Sequence, residues 1–204
     1  LVTKRYKKKK FKNKFKKLRL LLHAGGSSSY RDIKEIASTT LEVANKYDLD
    51  LSILCTSKDS RNYINSLINK IYNLKKFKIL PFIKNLSAKI GDYSIIVGPS
   101  GTTTFETILS GSIPFSAPLK NDGRDSFSSW SSIGHILHLS NKEKKNKTIL
   151  RDMWSLIIKK HNKLLKILKE NSKQLDGLGP KRLANKIVYY YKKKLSLTKI
   201  ADSL

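Results

Sequence analysis

The chain has 204 residues, which is enough for one well-buried α/β domain and too few for two large ones. No apolar run approaches the roughly 20 residues that cross a bilayer, and the basic N-terminus lacks the apolar centre of a signal peptide. The single cysteine, Cys55, excludes an internal disulfide and predicts a buried thiol in a reducing compartment, hence a cytoplasmic protein. Because the sequence starts at Leu1 rather than Met, we also expect it to be a piece of a longer chain.

The formal net charge of +27 lies mainly at the two ends of the chain. Residues 1–19 carry 11 Lys and Arg and no acidic residue, and residues 140–204 carry 18 basic against 5 acidic residues. Residues 20–139 are nearly balanced, with 13 basic and 10 acidic residues. A basic surface is therefore expected at the ends and not in the centre of the domain.

The basic run over residues 1–17 also contains Tyr6, Phe11 and Phe15. A nucleic-acid arm or an anionic-membrane arm would have this composition, since Lys neutralises phosphates and aromatic rings stack or anchor. A solvated linker, or the charged edge of an adjoining domain, would have it too. The linker is favoured because nothing that follows resembles a nucleic-acid fold. Nucleic acid is therefore not expected as a partner, and the inner face of an anionic membrane is kept as an alternative.

Residues 18–23 predict a compact apolar strand, followed by a Gly- and Ser-rich turn and an amphipathic helix to about Tyr47. The turn contains Gly25, Gly26 and Ser27, whose backbone amides can cradle a phosphate. Its sequence is not GxGxxG, so it does not predict a dinucleotide site. Next come a strand over residues 49–55, a helix to about residue 73 capped within residues 56–60, a strand over 77–82 and a short helix over 83–91.

Residues 93–111 form a second unit of strand, turn and helix, and this unit organises the domain. The turn consists of Ser100, Gly101, Thr102 and Thr103. Amides in the first turn of a helix lack intrahelical partners and the helix dipole is positive there, which favours a phosphate. Glu106 follows about one turn later, where its carboxylate could accept hydrogen bonds from ribose hydroxyls. An ordinary helix capped by Ser or Thr is an equally good interpretation of this segment alone.

The remaining elements are a strand over residues 113–119, a polar loop over 121–132 and a short strand over 135–139. From Lys147 the pattern predicts a helix with an apolar stripe toward the sheet, broken at residues 176–180. A last helix over residues 181–194 is predicted to place four residues inward: Leu183, Ile187, Val188 and Tyr191.

Strands that alternate with helices at this spacing predict an α/β fold with a doubly wound parallel sheet and C-terminal helices. The domain is expected to span residues 18–194, between a basic arm or linker over 1–17 and a tail over 195–204. Ligands of such sheets bind beyond the carboxyl ends of the strands, where both turns lie. The four histidines are scattered and predict no metal site, and no cofactor is expected.

Several segments, in the same order along the chain, resemble the C-terminal, nucleotide-binding half of a GT-B fold. Residues 81–119 are similar to the glycosyltransferase family that includes the lipid-linked peptidoglycan N-acetylglucosaminyl transferase, which has SGxxTxxE and a Gly-x-Pro strand there. The chain also resembles the UDP-sugar hydrolase of pseudaminic acid biosynthesis and its spore-coat polysaccharide relatives, through residues 23–29 (HAGGSSS) and 175–187 (LDGLGPKRLANKI). The second resemblance favours the hydrolase.

The resemblance implies a UDP-sugar ligand and assigns residues to it. Gly25, Gly26 and Ser27 match the first phosphate-side loop, and Phe82 and Ile83 match the point where a backbone amide meets the uracil. Ser100, Gly101, Thr102 and Thr103 match the diphosphate turn, and Glu106 matches the ribose-binding glutamate. The relatives' donor-sugar motif is absent after Leu119, where Asn121, Asp125 and Ser126 are the nearest candidates. The hydrolase's catalytic histidine belongs to an N-terminal GT-B half outside this sequence, so no catalytic residue is assigned.

Three functions follow as hypotheses. The first is the donor-binding half of a sugar-nucleotide hydrolase or glycosyltransferase, which would work with an N-terminal half in the same or another chain. The second is a non-catalytic basic protein that binds nucleic acid or an anionic membrane and ignores UDP. The third is a degenerate GT-B half kept as a scaffold, for which the changed donor-sugar loop is the only indication.

Overall fold

A computed structural model describes residues 17–25, 30–71, 76–118, 137–140, 142–171, 173, 175 and 178–201. Apart from Lys17, which forms an ion pair with Asp48 at 2.8 Å, the predicted basic arm lies outside the described residues. The fold described below therefore concerns the predicted domain over residues 18–194 and the continuation of its last helix to residue 201.

Six strands of the described chain form one sheet in which every neighbouring pair is parallel. The strands are β1 (Arg19–His23), β2 (Asp50–Leu54), β3 (Phe77–Leu80), β4 (Ile95–Pro99), β5 (Ile113–Ala117) and β6 (Leu137–His138). Their order across the sheet is β3-β2-β1-β4-β5-β6. This is the order of a doubly wound Rossmann-like sheet, so the predicted fold class is confirmed.

Helices occupy the first four connections between these strands, and three more helices follow β6 in the described chain. They are α1 (Lys34–Lys46), α2 (Lys58–Ile68), α3 (Leu86–Lys89), α4 (Thr102–Leu109), α5 (Lys147–Lys159), α6 (His161–Asn171) and α7 (Gly179–Ala201). Short 3-10 helices cover Tyr30–Ile33, Ile90–Asp92 and Glu143–Lys145. The predicted cap of α2 is present, since the Ser60 amide donates to the Ser57 hydroxyl at 3.1 Å.

The two faces of the sheet are both covered, which explains why its strands are apolar at successive positions. Leu20 and Leu22 of β1 belong to a large buried cluster with α1, α5 and α6, whereas Leu21 points to a smaller cluster around Ile90 and Tyr93. Cys55 is buried on the larger side, as predicted, and burial raises the pKa of its thiol. Strand alternation thus divides one short run of leucines between two cores.

The helix predicted from Lys147 onward is in fact two helices that meet at Lys160. Lys160 leaves the α region with φ −116° and ψ 19°, which ends α5, and α6 begins at the next residue. Ile157 of α5 and Leu168 of α6 are nevertheless both buried in the large cluster, so both helices pack on the same side of the sheet.

The prediction for the last helix was wrong about its burial. Leu183, Ile187, Val188 and Tyr191 were expected to point inward, yet they are 48, 60, 51 and 64% exposed. The amphipathic pattern identifies an apolar face but does not determine whether the same chain covers it. The helix also continues to Ala201, through the expected start of a tail at residue 195. Within the described chain, no helix combines the length and apolarity that a membrane span requires.

Candidate functional site

The site is built where the sheet reverses its winding, between β1 and β4. These two strands are neighbours, with Leu22 paired to Val97, so His23 and Gly98 lie side by side at their carboxyl ends. The chain leaves β1 toward α1 and leaves β4 toward α4. In doubly wound sheets a crevice opens at this point, and the two turns identified in the sequence both begin there.

The first turn starts at Gly25, which has a φ of 85°. This left-handed backbone conformation strains residues that carry a Cβ, so glycine is required here. The Gly25 amide donates to Nδ1 of His23 at 3.2 Å. Gly26 and Ser27, the other residues predicted for the first phosphate-side loop, lie outside the described residues.

His23, at the end of β1, is part of this site, although from the sequence it was considered only as a metal ligand. Its side chain is buried, and desolvation lowers its pKa from 6.5 to about 4, so the ring is neutral at pH 7. Because Nδ1 accepts a hydrogen bond, the proton of the neutral ring is on Nε2. Nε2 faces β4 and a small cavity also lined by Thr104, Thr107 and Ser116.

The buried ring makes stability depend on pH. In the unfolded chain His23 has its ordinary pKa of 6.5, so between pH 6.5 and 4 the unfolded state binds more protons and the folded state loses stability as the pH falls. We expect His23 to account for about 2 kcal/mol of the stability lost between pH 7 and 4.5. Urea unfolding of wild type and His23→Gln at both pH values measures this contribution. Equal losses of stability in wild type and His23→Gln would show that folding does not lower the pKa of His23.

The second turn presents backbone amides at the start of α4, of which that of Gly101 donates to the Thr104 hydroxyl at 3.3 Å. The N-cap of α4 is Gly101, and the Thr104 amide donates to the Gly101 carbonyl at 3.0 Å. The amides of Thr102 and Thr103 donate to no group among the described residues. The N-cap residue is a glycine rather than the Ser or Thr of the alternative interpretation, and the Thr at the third helical position caps only the Gly101 amide. Two free N–H groups and the positive end of α4 lie beside the first turn.

Glu106 lies one turn into α4, and its side chain is half-buried. The carboxylate forms no hydrogen bond or ion pair within the described part of the chain. In a domain with so many lysines, a half-buried carboxylate without a partner is unusual. It can accept hydrogen bonds from a ligand.

Phe82 and Ile83 follow β3, at the same end of the sheet but two strands away from β1. Phe82 is 69% exposed, and Ile83 packs against the smaller core cluster. Since neighbouring strands are about 4.8 Å apart, this loop begins roughly 10 Å from the end of β1. That separation suits a ligand whose two ends are recognised by different loops.

A cluster of two serines and a histidine adjoins the second turn and was missed in the sequence. The hydroxyl oxygens of Ser100 and Ser116 lie 3.0 and 3.2 Å from Nδ1 of His138. Beyond β6, the Ser140 amide donates to the Glu143 carboxylate at 2.8 Å. Hydrogen bonds to Ser140 lower the pKa of Glu143, and His138 lowers it by a smaller amount. The signal available in the sequence was position: His138 lies next to the last residue of the strand predicted over 135–139, and His23 ends the strand predicted over 18–23.

The structure does not describe the predicted donor-sugar residues, and it shows no metal cluster among the residues that it does describe. The donor-sugar candidates Asn121, Asp125 and Ser126 lie outside the described residues. Among the residues that are described, no group of three His, Cys, Asp or Glu side chains is arranged to hold a metal ion.

Solved structures with the same architecture identify this fold. A glycosyltransferase from Rickettsia africae superimposes with a TM-score of 0.65 at 13% identity, over 87% of this chain and 48% of its own. S. aureus MnaA, solved with UDP, gives 0.64 at 15% identity, over 86% and 46%. The fold is that of a GT-B domain. A UDP-GlcNAc 2-epimerase from Neisseria meningitidis, bound to UDP-GlcNAc, gives 0.57 at 18% identity, over 87% and 44%.

These likenesses concern the fold and about half of each neighbour. The chain spans less than half the length of the structures named above. No protein-family model matches the sequence, and no curated protein matches it at a significant level. The similarity therefore lies in the arrangement of the elements.

Proposed function

We propose that this chain is the donor-binding half of a sugar-nucleotide enzyme and holds a UDP-sugar at the carboxyl ends of β1, β3 and β4. The observation that carries the proposal is the start of α4, where the amides of Thr102 and Thr103 have no hydrogen-bond partner among the described residues. These amides lie next to the Gly25 turn, and the Glu106 carboxylate, which has no partner in the described part of the chain, follows one turn later. Both S. aureus MnaA and the Neisseria epimerase were solved with uridine nucleotides, which supports this ligand.

Each group would have one task in binding. The amides at the start of α4, with the Ser100 hydroxyl next to His138, would hold the diphosphate. Glu106 would accept hydrogen bonds from the ribose hydroxyls, and the backbone after Phe82 would meet the uracil. When the bond to the sugar breaks, negative charge develops on the UDP oxygens, and fixed N–H groups stabilise such charge without reorganising.

The reaction itself would be completed by a second GT-B half, in the same or another chain. We favour a UDP-sugar hydrolase of pseudaminic acid or surface polysaccharide biosynthesis, because of the resemblance over residues 175–187. A glycosyltransferase of the peptidoglycan-transferase type is the second candidate, and the Rickettsia neighbour supports it. Product analysis after incubation of the complete enzyme with UDP-GlcNAc, with and without an acceptor, separates hydrolysis from transfer.

Replacing Glu106 with alanine should weaken UDP binding by about tenfold or more, because ribose hydroxyls would lose a charged acceptor. Isothermal titration calorimetry with UDP at moderate salt measures the change. Glu42→Ala is the matched control: it also removes one negative charge from a helix, and the described contacts of its carboxylate are an exposed ion pair with Arg151 at 3.1 Å and a hydrogen bond from the Ser38 hydroxyl at 3.5 Å. The control should bind UDP as wild type does.

Two results would contradict the proposal in different ways. Equal affinities for Glu106→Ala and Glu42→Ala would remove the ribose role of Glu106. Absence of any saturable stabilisation of the wild type by UDP would remove the nucleotide site, and would favour the basic binding protein or the scaffold.

A further inference from the structure

A row of buried polar side chains crosses the sheet beneath the start of α4. The strand pairing places His23 beside Gly98. It then pairs Gly98 with Ser116 and Ser116 with His138. Paired residues of parallel strands point their side chains to the same face, so the three polar side chains, all of them buried, share one face of the sheet. Buried polar groups need hydrogen-bond partners, so this row is expected to interact with the two turns beside it.

Nδ1 of His138 is shared by two serine hydroxyls that differ in exposure. The Ser116 oxygen, at 3.2 Å, belongs to a buried side chain in the middle of the row. The Ser100 oxygen, at 3.0 Å, belongs to a half-buried side chain that directly precedes the N-cap of α4. The Ser100 backbone is fixed as well, since its amide donates to the Ala117 carbonyl at 3.0 Å. Of the two hydroxyls, that of Ser100 is therefore the one that a ligand at the second turn can reach.

The proton on the histidine ring decides what the Ser100 hydroxyl can do. If Nδ1 carries no proton, it accepts one from a serine hydroxyl, and a Ser100 hydroxyl used in this way presents only oxygen lone pairs to the turn. If Nδ1 carries a proton, the ring donates to the hydroxyl oxygens and Ser100 keeps its own proton for a further hydrogen bond. An anion beside the amides of Thr102 and Thr103 favours the second arrangement, because it accepts that hydrogen bond.

We propose that His138 is a positioning residue of the diphosphate subsite, whose Nδ1–H makes the Ser100 hydroxyl a donor to a phosphate oxygen of the nucleotide. This role rests on the proposed function and adds to it a residue that acts through Ser100 without touching the ligand. Ser116 is the second acceptor for the same N–H and keeps the ring in this orientation. Loss of His138 should therefore weaken the binding of a diphosphate and leave the binding of a nucleoside unchanged.

The test compares UDP with uridine, which lacks the diphosphate, by calorimetry and by NMR titration. His138→Gln, whose amide lies near the position of Nε2, should bind UDP about tenfold more weakly, because Ser100 loses its donor orientation. His138→Asn, whose amide lies near the position of Nδ1, should restore most of that affinity. Both variants should bind uridine as wild type does. The matched control is His161→Asn, which should leave UDP affinity unchanged, since His161 hydrogen-bonds to the backbone of Ser94 at the opposite end of β4.

A double-mutant cycle shows whether His138 acts through Ser100. Ser100→Ala alone should weaken UDP binding by about tenfold, and adding His138→Gln should then change little, because the hydroxyl that the ring orients is gone. A loss of about a hundredfold in the double variant would mean that the two side chains act independently, and would overturn the proposal. Equal weakening of uridine binding would overturn it too, because it would indicate a structural role alone.

The histidine ring provides an independent measurement in the wild-type protein. Long-range proton–nitrogen NMR spectra of isotopically labelled histidines distinguish the two ring nitrogens, and comparison with His138→Asn identifies the signals of His138. The UDP complex should have a proton on Nδ1. A bare Nδ1 in the UDP complex would overturn the role of His138 and leave the nucleotide site standing, whereas absence of UDP binding by wild type would overturn both.

Discussion

Replacing Trp154 with alanine should lower the free energy of unfolding by about 3–5 kcal/mol, the largest effect expected from one substitution in this domain. Trp154 lies in α5 and is fully buried. Its ring meets that of Phe115 edge to face, with centroids 5.2 Å apart and an interplanar angle of 86°. Phe115 belongs to β5 and is itself fully buried, so the substitution would open a cavity between the helix and the sheet.

Urea or guanidinium unfolding measures this change, and two further variants show its cause. The indole Nε1 has no hydrogen-bond partner in the described part of the chain. Trp154→Phe therefore removes a buried N–H that is already unpaired, and should cost less than half as much as Trp154→Ala. Leu156→Ala changes a 45% exposed side chain of the same helix and should cost about 1 kcal/mol or less. Equal losses for the alanine variants at 154 and 156 would mean that α5 does not pack as described.

The second large effect is expected at Gly98, where β4 passes His23. A Cβ at this position would lie 2.4 Å from Nε2 and 2.6 Å from the carbonyl oxygen of His23. The ring could rotate away, but the carbonyl belongs to β1 in the centre of the sheet and cannot. Gly98→Ala should therefore destabilise the fold by about 3 kcal/mol through overpacking.

Gly101, three residues later, provides the matched control. A Cβ there would meet nothing within 4 Å, and its φ of 173° is extended backbone that any residue adopts. Gly101→Ala should lower the unfolding free energy by no more than about 1 kcal/mol, because alanine is a poorer N-cap than glycine. If Gly98→Ala were as harmless as Gly101→Ala, the close approach of β1 and β4 at this point would be wrong.

The sequence predicted the sheet well because local patterns determine most of it. Apolar runs bounded by Gly and Pro identify buried strands, and the handedness of parallel crossovers limits how they can be ordered. Leu20 to Leu22 and Ile95 to Val97 were correctly assigned to strands, and these strands are neighbours. Boundaries were less accurate: the strand predicted over residues 77–82 ends at Leu80.

Contacts between distant segments could not be predicted in this way. His138 approaches Ser100 and Ser116 because β6 pairs with β5 and β5 with β4. The two serines are 38 and 22 residues away from His138 along the chain, so the sequence does not indicate this proximity. The error at α7 has a related cause. The periodicity of Leu183 and Ile187 was read correctly as an apolar face, but the material that covers such a face need not come from the same chain.

The central position of β1 has a consequence for how this domain can fold. Its two neighbours in the sheet are β2 and β4, and β4 arrives more than 70 residues later along the chain. A polypeptide emerging from the ribosome can pair one edge of β1 early, yet must leave the other edge open until residue 99 is available. High contact order of this kind slows folding, and the open edge of apolar residues is a surface that chaperones bind.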